Sequence, residues 1–294
     1  MRVDTPEVAF LIDDPLEVGE SPCWDAREQA LWFVDILAPA VFRLDAATNA
    51  IRRWSIPSAI GSLGIAADGR LIVALRDGVY WFDPRAEALT LLASPEPDRN
   101  GNRLNDGKVG PDGRFWVGSM DDTPEKLPRA ALYRIDTHGR CDRMVDGLIV
   151  SNGLAWSPDG RRMYHSDSRA AYVQTFEFDP ATGAPSKQER LLDLSEADGR
   201  PDGAACDAEG YYWSAGVSAG VLNRFAPDGR IDRKVILPVG APTMPCFGGP
   251  DLRTLYVTSL TRDQAGGRTR GTLMSFRVDV PGTPVARFGE PLHH

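Results

Sequence analysis

"GPDGRFWVGSM", residues 110–120, contains the smallest unit that recurs along the chain. A Pro-Asp-Gly turn leads into an aromatic and β-branched run, which is the composition of a strand. Similar segments read "DAREQALWFVD" from Asp25, "AADGRLIVAL" from Ala66, "SPDGRRMYHSD" from Ser157, "DAEGYYWSAG" from Asp207 and "GPDLRTLYVTS" from Gly249. Their turn acids are Glu28, Asp68, Asp112, Asp159, Glu209 and Asp251, at spacings of 40, 44, 47, 50 and 42 residues. Periods of this size belong to propeller blades or to helical arrays.

The local pattern decides between the two. Behind each turn-and-strand unit comes a second hairpin, from "AVFRLDAATNAIRRWSI" in the first unit to "GTLMSFRVDVPGTPVARF" in the sixth. No stretch sustains a 3.6-residue apolar period. The expected fold is therefore all-β: a six-bladed β-propeller of four-stranded antiparallel blades around a central channel. A pair of β-sandwiches fits the regular period less well. "EVAFLI", Glu7–Ile12, is a further strand ahead of the first unit, placed to pair with the last unit and close the ring. No low-complexity linker interrupts the chain, so residues 1–294 are expected to form one domain.

Composition narrows the function. The net charge is −8, and no Lys/Arg run exceeds two adjacent residues, which argues against a nucleic-acid partner. No segment approaches the roughly 20 apolar residues of a membrane helix, and the first residues hold no apolar run of signal-peptide length. Cys23, Cys141, Cys206 and Cys246 show neither CxxC pairing nor zinc spacing. Three of them lie in or near apolar strands, where a cysteine behaves as a small hydrophobe. The expectation is a cytoplasmic protein, monomeric because a propeller closes its own edges. The terminal His293-His294 is assigned no function.

The innermost strand of a propeller blade starts at the axis, so residues at one offset in each unit line one mouth of the channel. Seven residues before the turn acid (eight in the first unit) stand Glu20, Gly61, Asn105, Asn152, Asp202 and Met244. Four of the six carry side-chain oxygens and two are carboxylates. Taken singly, each is an ordinary turn or strand-cap residue. As a convergent set they form a hard-oxygen site suited to Ca²⁺, Mg²⁺ or Mn²⁺, in which two acids balance a divalent ion. Gly153, next to Asn152, would let its strand start close to a crowded axis. Arg103, two residues before Asn105, can donate to a ligand hydroxyl or carbonyl, or else pair with Asp106 at the surface.

Other residues carry less. His165 lies on a strand near the axis and reads as a core histidine with its hydrogen bonds satisfied. With four histidines in all, a Ser-His-Asp or Cys-His relay has little support. Asp121 and Asp122 follow a blade strand and either edge the pocket or are loop charges. Asp167 is an inner-strand acid or a strand-end hydrogen-bonding residue. The glycines mark turns and form no phosphate loop.

Five segments, "GESPCW", "RLNDGKVGPDGRFWVGSM", "SNGLAWSPDG", "PDGAACDAEG" and "CFGGPDLRTLYVT", occur in this order and cover nearly the whole chain. Together they resemble the family of gluconolactonases, senescence marker protein and regucalcin. The resemblance implies a sugar lactone as substrate and one divalent ion, with Ca²⁺, Zn²⁺, Mn²⁺ and Fe²⁺ all allowed; the ligand set itself leans to Ca²⁺. It implies that Glu20, Asn152 and Asp202 hold the ion, that Asp202 is also the general base, and that Arg103 and Asn105 bind substrate. A family loop that touches the sugar corresponds here to Asp121, Asp122 and Thr123, which places Asp122 at the substrate. The rival expectations are a phosphotriesterase or arylesterase on the same scaffold, and a non-enzymatic Ca²⁺-binding propeller.

Overall fold

The structure, a computed structural model, describes residues 1–264 and 267–292; His293-His294 lies outside the described residues. Six antiparallel sheets follow one another around a ring. Blade one is built from Gly19–Asp25, Ala30–Asp35, Ala40–Asp45 and Ile51–Ser55, and blade two from Ile60–Ile65, Leu71–Leu75, Val79–Asp83 and Ala88–Ala93. Blades three, four and five start with Asn102–Val109, Ser151–Trp156 and Pro201–Cys206, each followed by three further strands. Blade six takes Pro242–Gly248, Thr254–Ser259 and Leu273–Arg277 from the C-terminal part of the chain.

Burial falls from the axis outward. Gly19–Asp25 is buried throughout, whereas the outermost strand of the same blade, Ile51–Ser55, buries only Trp54. Neighbouring blades pack face to face through their alternating apolar positions. Between blades one and two, Trp32, Val34, Val41 and Trp54 meet Ile60, Leu63, Ile65 and Val73. Trp32 and Trp54 stack with ring centroids 5.5 Å apart. The turn aspartates hold the hairpins, as in the bond from the Arg161 N–H to Asp159 Oδ1 at 3.0 Å.

The N-terminal strand closes the ring at the expected place, shortened to two residues. Ala9–Phe10 is the outermost strand of blade six, with Ala9 opposite Ser275 and Phe10 opposite Met274. The sixth unit therefore departs from the expected second hairpin, because the N-terminus already fills its fourth position. The segment following Leu273–Arg277 instead runs beneath the ring as a belt. The Gly282 N–H donates to Leu252, the Ala67 N–H to Phe288 and the Leu292 N–H to Pro111. Arg287 forms a partly buried ion pair with Asp25. Arg2–Asp4 adds a fifth strand to blade five, in parallel register with Arg233–Val235. Among the described residues no helix is long and apolar enough to cross a membrane.

Candidate functional site

A chamber of about 360 Å³ opens on the ring axis, with walls from all six inner strands. Each inner strand carries a β-bulge near its start, which reverses the side-chain alternation and turns residues toward the axis. The bulges fall between Glu20 and Cys23, Leu104 and Gly107, Asn152 and Ala155, and Pro201 and Ala204. They deliver Glu20, Asn105, Asn152 and Asp202 to the chamber wall, with Gly61 from blade two. The sixth expected position needs correction. In blade six the bulge falls at Thr243, between Pro242 and Met244, one residue before the counted position. Met244 thus stays on the regular alternation and lines a cavity at the other end of the channel, while Thr243 faces the chamber.

Asn152 and Asp202 come together across blades four and five. The Asn152 Nδ2 donates to Asp202 Oδ1 at 2.6 Å and to Ser168 Oγ at 2.7 Å. With both amide hydrogens engaged, the oxygen is the group left for a ligand. Glu20 is 5 % exposed and accepts from the Ser21 N–H at 2.6 Å. Burial raises its pKa well above the carboxylate range, and the charges of Asp202 and Asp106 raise it further. Asp202 is pushed up to about 8, first by burial and then by Asp106.

Asp106 is a third carboxyl at this chamber, and its pKa is likewise raised by burial. Its Oδ2 accepts from the Leu154 N–H at 3.2 Å, but its buried Oδ1 meets no donor. Among the described residues, no three His, Cys, Asp or Glu side chains cluster closely enough to hold an ion by themselves. Any such set would therefore need a further oxygen, and the Asn152 amide at the chamber wall offers one. Converging carboxyls, an orphaned carboxylate oxygen and an amide oxygen with its donors used up form a donor set that fits a hard divalent cation.

Arg103 lines the chamber and does not pair with Asp106. Its Nη1 donates to Asn105 Oδ1 at 2.9 Å and to the Leu104 carbonyl at 3.0 Å, and its Nε lies 3.7 Å from Asp122. Asn105 is anchored in turn, with Nδ2 donating to the Ser151 carbonyl at 3.0 Å. Asp122 reaches the chamber only through Arg103, and its other oxygen takes Arg76 at 2.6 Å. Asp121 ends the strand Phe115–Asp121 and holds the loop that follows: it accepts from the Thr123 and Leu127 N–H groups and pairs with Arg129.

His165 is a core residue, bonded to Ser151 Oγ at 2.8 Å and Gln174 Nε2 at 3.0 Å, with burial lowering its pKa to about 3. Asp167 ties strand ends, accepting from the N–H groups of Ile149, Arg169 and Ala170. Cys23, Cys206 and Cys246 are free and buried, and line the cavity of about 180 Å³ at the far end of the channel.

Several chamber residues escaped the reading of the sequence: Asp106, Lys126, Ser168, Arg169, Arg200 and Thr243. For Arg200 a signal was present. Arg200 precedes Asp202 by two residues, just as Arg103 precedes Asn105, so both occupy one repeat position. For Asp106 the count allowed one residue per strand, whereas a bulge can present two.

Fold and site together define a six-bladed propeller with an oxygen-rich chamber on its axis. Residues 18–261 match the SMP-30/Gluconolactonase/LRE-like region, and the chain belongs to that family. It is 37% identical over 278 residues to a 6-deoxy-6-sulfogluconolactonase of Pseudomonas putida, covering 92% of this chain and 95% of that one. It is 34% identical over 258 residues to regucalcin of Xenopus laevis, covering 86% of each. The structure of regucalcin from Agrobacterium tumefaciens, described as a calcium-binding protein, superposes with a TM-score of 0.90 at 27% identity, covering 98% of this chain and 99% of that one.

Proposed function

We propose that this chain hydrolyses a sugar lactone to the corresponding aldonic acid, using one divalent ion held by Glu20, Asn152 and Asp202. The observation that carries this reading is the Asn152–Asp202 contact, which directs an amide oxygen toward a chamber already holding two further buried carboxyls. The name of the Pseudomonas putida relative supports a lactone as substrate. The calcium-binding description of the Agrobacterium protein, with the all-oxygen donor set, favours Ca²⁺.

A bound ion supplies Lewis acidity toward the lactone carbonyl oxygen. The chain's residues do the rest. Glu20 and Asn152 contribute oxygen ligands from blades one and four. Asp202, whose proton an ion at this site would displace, takes a proton from the attacking water as general base. That proton returns to the ring oxygen as the acyl C–O bond breaks, so water is added across the bond and one molecule of hydroxy acid results. Arg103, with Nη2 still free, and Asn105 orient the ring hydroxyls or the carbonyl. The same reading takes the protein as a cytoplasmic monomer whose free cysteines fit a reducing compartment.

The test is a panel of δ- and γ-aldonolactones and aryl esters, assayed on metal-stripped protein with Ca²⁺, Zn²⁺, Mn²⁺ or Fe²⁺ restored. Lactone turnover that needs an ion and is lost in Asp202→Asn supports the proposal. Faster turnover of aryl esters would replace it with the esterase reading, and ion binding without turnover of any ester with the non-enzymatic one.

A further inference from the structure

The chamber wall is electrically lopsided. Arg103 and Lys126 come from blade three, Arg169 from blade four and Arg200 from blade five, so four cations occupy one arc. The opposite arc presents Val18, Ile36, Thr243 and Leu260, from blades one and six. The repeat position two residues before the ring supplies two of these cations. It carries Val18 in blade one and Val150 in blade four, but Arg103 in blade three and Arg200 in blade five, and all four side chains line the chamber.

Two of these cations are held by their backbones and free at their heads. The Arg169 N–H is fixed by Asp167 Oδ1 at 2.9 Å, beside Ser168, whose hydroxyl accepts from Asn152 and donates to the Pro201 carbonyl at 2.5 Å. The Arg200 N–H donates to Ser218 Oγ at 2.8 Å, and its carbonyl accepts from Val217 at 3.0 Å. Among the described residues neither guanidinium has a carboxylate within salt-bridge distance, whereas Arg103 already shares Asp122 with Arg76. A divalent ion held at Glu20 and Asp202 would satisfy the acids at the base of the chamber and leave this arc in excess. Exposed guanidinium groups on anchored backbone at the wall of a concave site favour an anionic group, through charge-assisted and often bidentate hydrogen bonds.

We propose that Arg169 and Arg200, with Lys126 and the free face of Arg103, form an anion subsite that selects lactones bearing a carboxylate, phosphate or sulfonate on the carbon chain away from the lactone carbonyl. The proposal rests on the lactonase reading and deepens it to a substrate class. Arg169 and Arg200 are specificity-determining residues that recognise the distal charge and take no part in bond cleavage.

The experiment compares glucono-lactone with its 6-phosphate, and with glucaro-lactone, on wild type, Arg169→Gln, Arg200→Gln, the double variant and the exposed control Arg161→Gln. Wild type and the control are expected to favour the charged lactones by at least about tenfold in kcat/KM, mainly through KM, with the preference shrinking as salt is raised. The ratio is expected to approach one in the double variant. Calorimetric binding of glucarate and gluconate gives a readout that needs no turnover: glucarate binds more tightly to wild type, and the difference disappears in the double variant. Equal kcat/KM for neutral and charged lactones in wild type, or a preference that survives in the double variant, overturns the subsite. Should no lactone be hydrolysed, the lactonase reading fails. The calorimetry then decides the subsite: an Arg-dependent preference for glucarate upholds an anion site, and equal binding overturns it.

Discussion

The side-chain amide of Asn152 in blade four donates to a carboxylate oxygen of Asp202 in blade five at 2.6 Å. This bond orients two groups that start from different blades 50 residues apart. Removing the amide with Asn152→Ala takes away the proposed oxygen ligand and the hydrogen bond that orients Asp202. Divalent-ion affinity is expected to fall at least about tenfold, with the fold retained. Calorimetric titration of metal-stripped protein checks this, and unchanged Ca²⁺ affinity would remove Asn152 from the ligand set.

The raised carboxyls make metal-free and metal-loaded protein respond oppositely to pH. Asp202 is pushed up to about 8 in the metal-free protein, far above its unfolded value of about 4. Between these values the folded state holds a proton that the unfolded state has lost, so stability is greatest on the acid side and declines as pH rises toward 8. Ion binding must displace that proton, so affinity should increase with pH over the same window. Thermal melts of metal-free protein from pH 5 to 8 should show a falling Tm, and saturating Ca²⁺ should reverse the trend. Asp202→Asn should flatten the metal-free slope. A Tm that climbs with pH in the absence of ion would contradict the assignment.

The repeat made the fold legible because each blade must form the same turn, and a turn chemistry seen six times cannot be accidental. The ring positions were legible for the same reason, and Glu20, Asn152 and Asp202 line one chamber. Where the count failed, at Met244, the cause was a bulge, a one-residue change of pairing that leaves no mark in composition. The belt beneath the ring was also hidden. Its contacts are single bridges such as Ala66 with Phe288, which need no alternating pattern. Arg169 and Arg200 fall outside the count of one residue per strand, and only the assembled blades bring both to the chamber.

Gly153 has a positive φ of 66°, and a Cβ there would lie 2.3 Å from the Tyr212 hydroxyl and 2.4 Å from Ser166 Oγ. The first fact strains any L side chain and the second leaves no room for one. Gly153→Ala is expected to destabilise the protein by about 2 kcal/mol or more. It should also displace Asn152 and weaken ion binding. Urea unfolding of the metal-free variant separates the two effects, and a loss below about 0.5 kcal/mol would show that the strand start relaxes freely.

His165 offers a check on the chemistry itself. It is fully buried, and burial lowers its pKa to about 3, so it stays neutral throughout the range in which an enzyme of this kind would be assayed. Its two ring nitrogens are taken by Ser151 and Gln174, which leaves it no proton to move. His165→Gln should therefore lower stability, through the loss of a packed ring and its hydrogen bonds, by about 1–3 kcal/mol. The pH profile of lactone hydrolysis should keep its midpoint if the base is Asp202, as proposed. A shifted midpoint in His165→Gln, with Ca²⁺ affinity unchanged, would mean that a histidine relay contributes to the proton transfer here assigned to Asp202 alone.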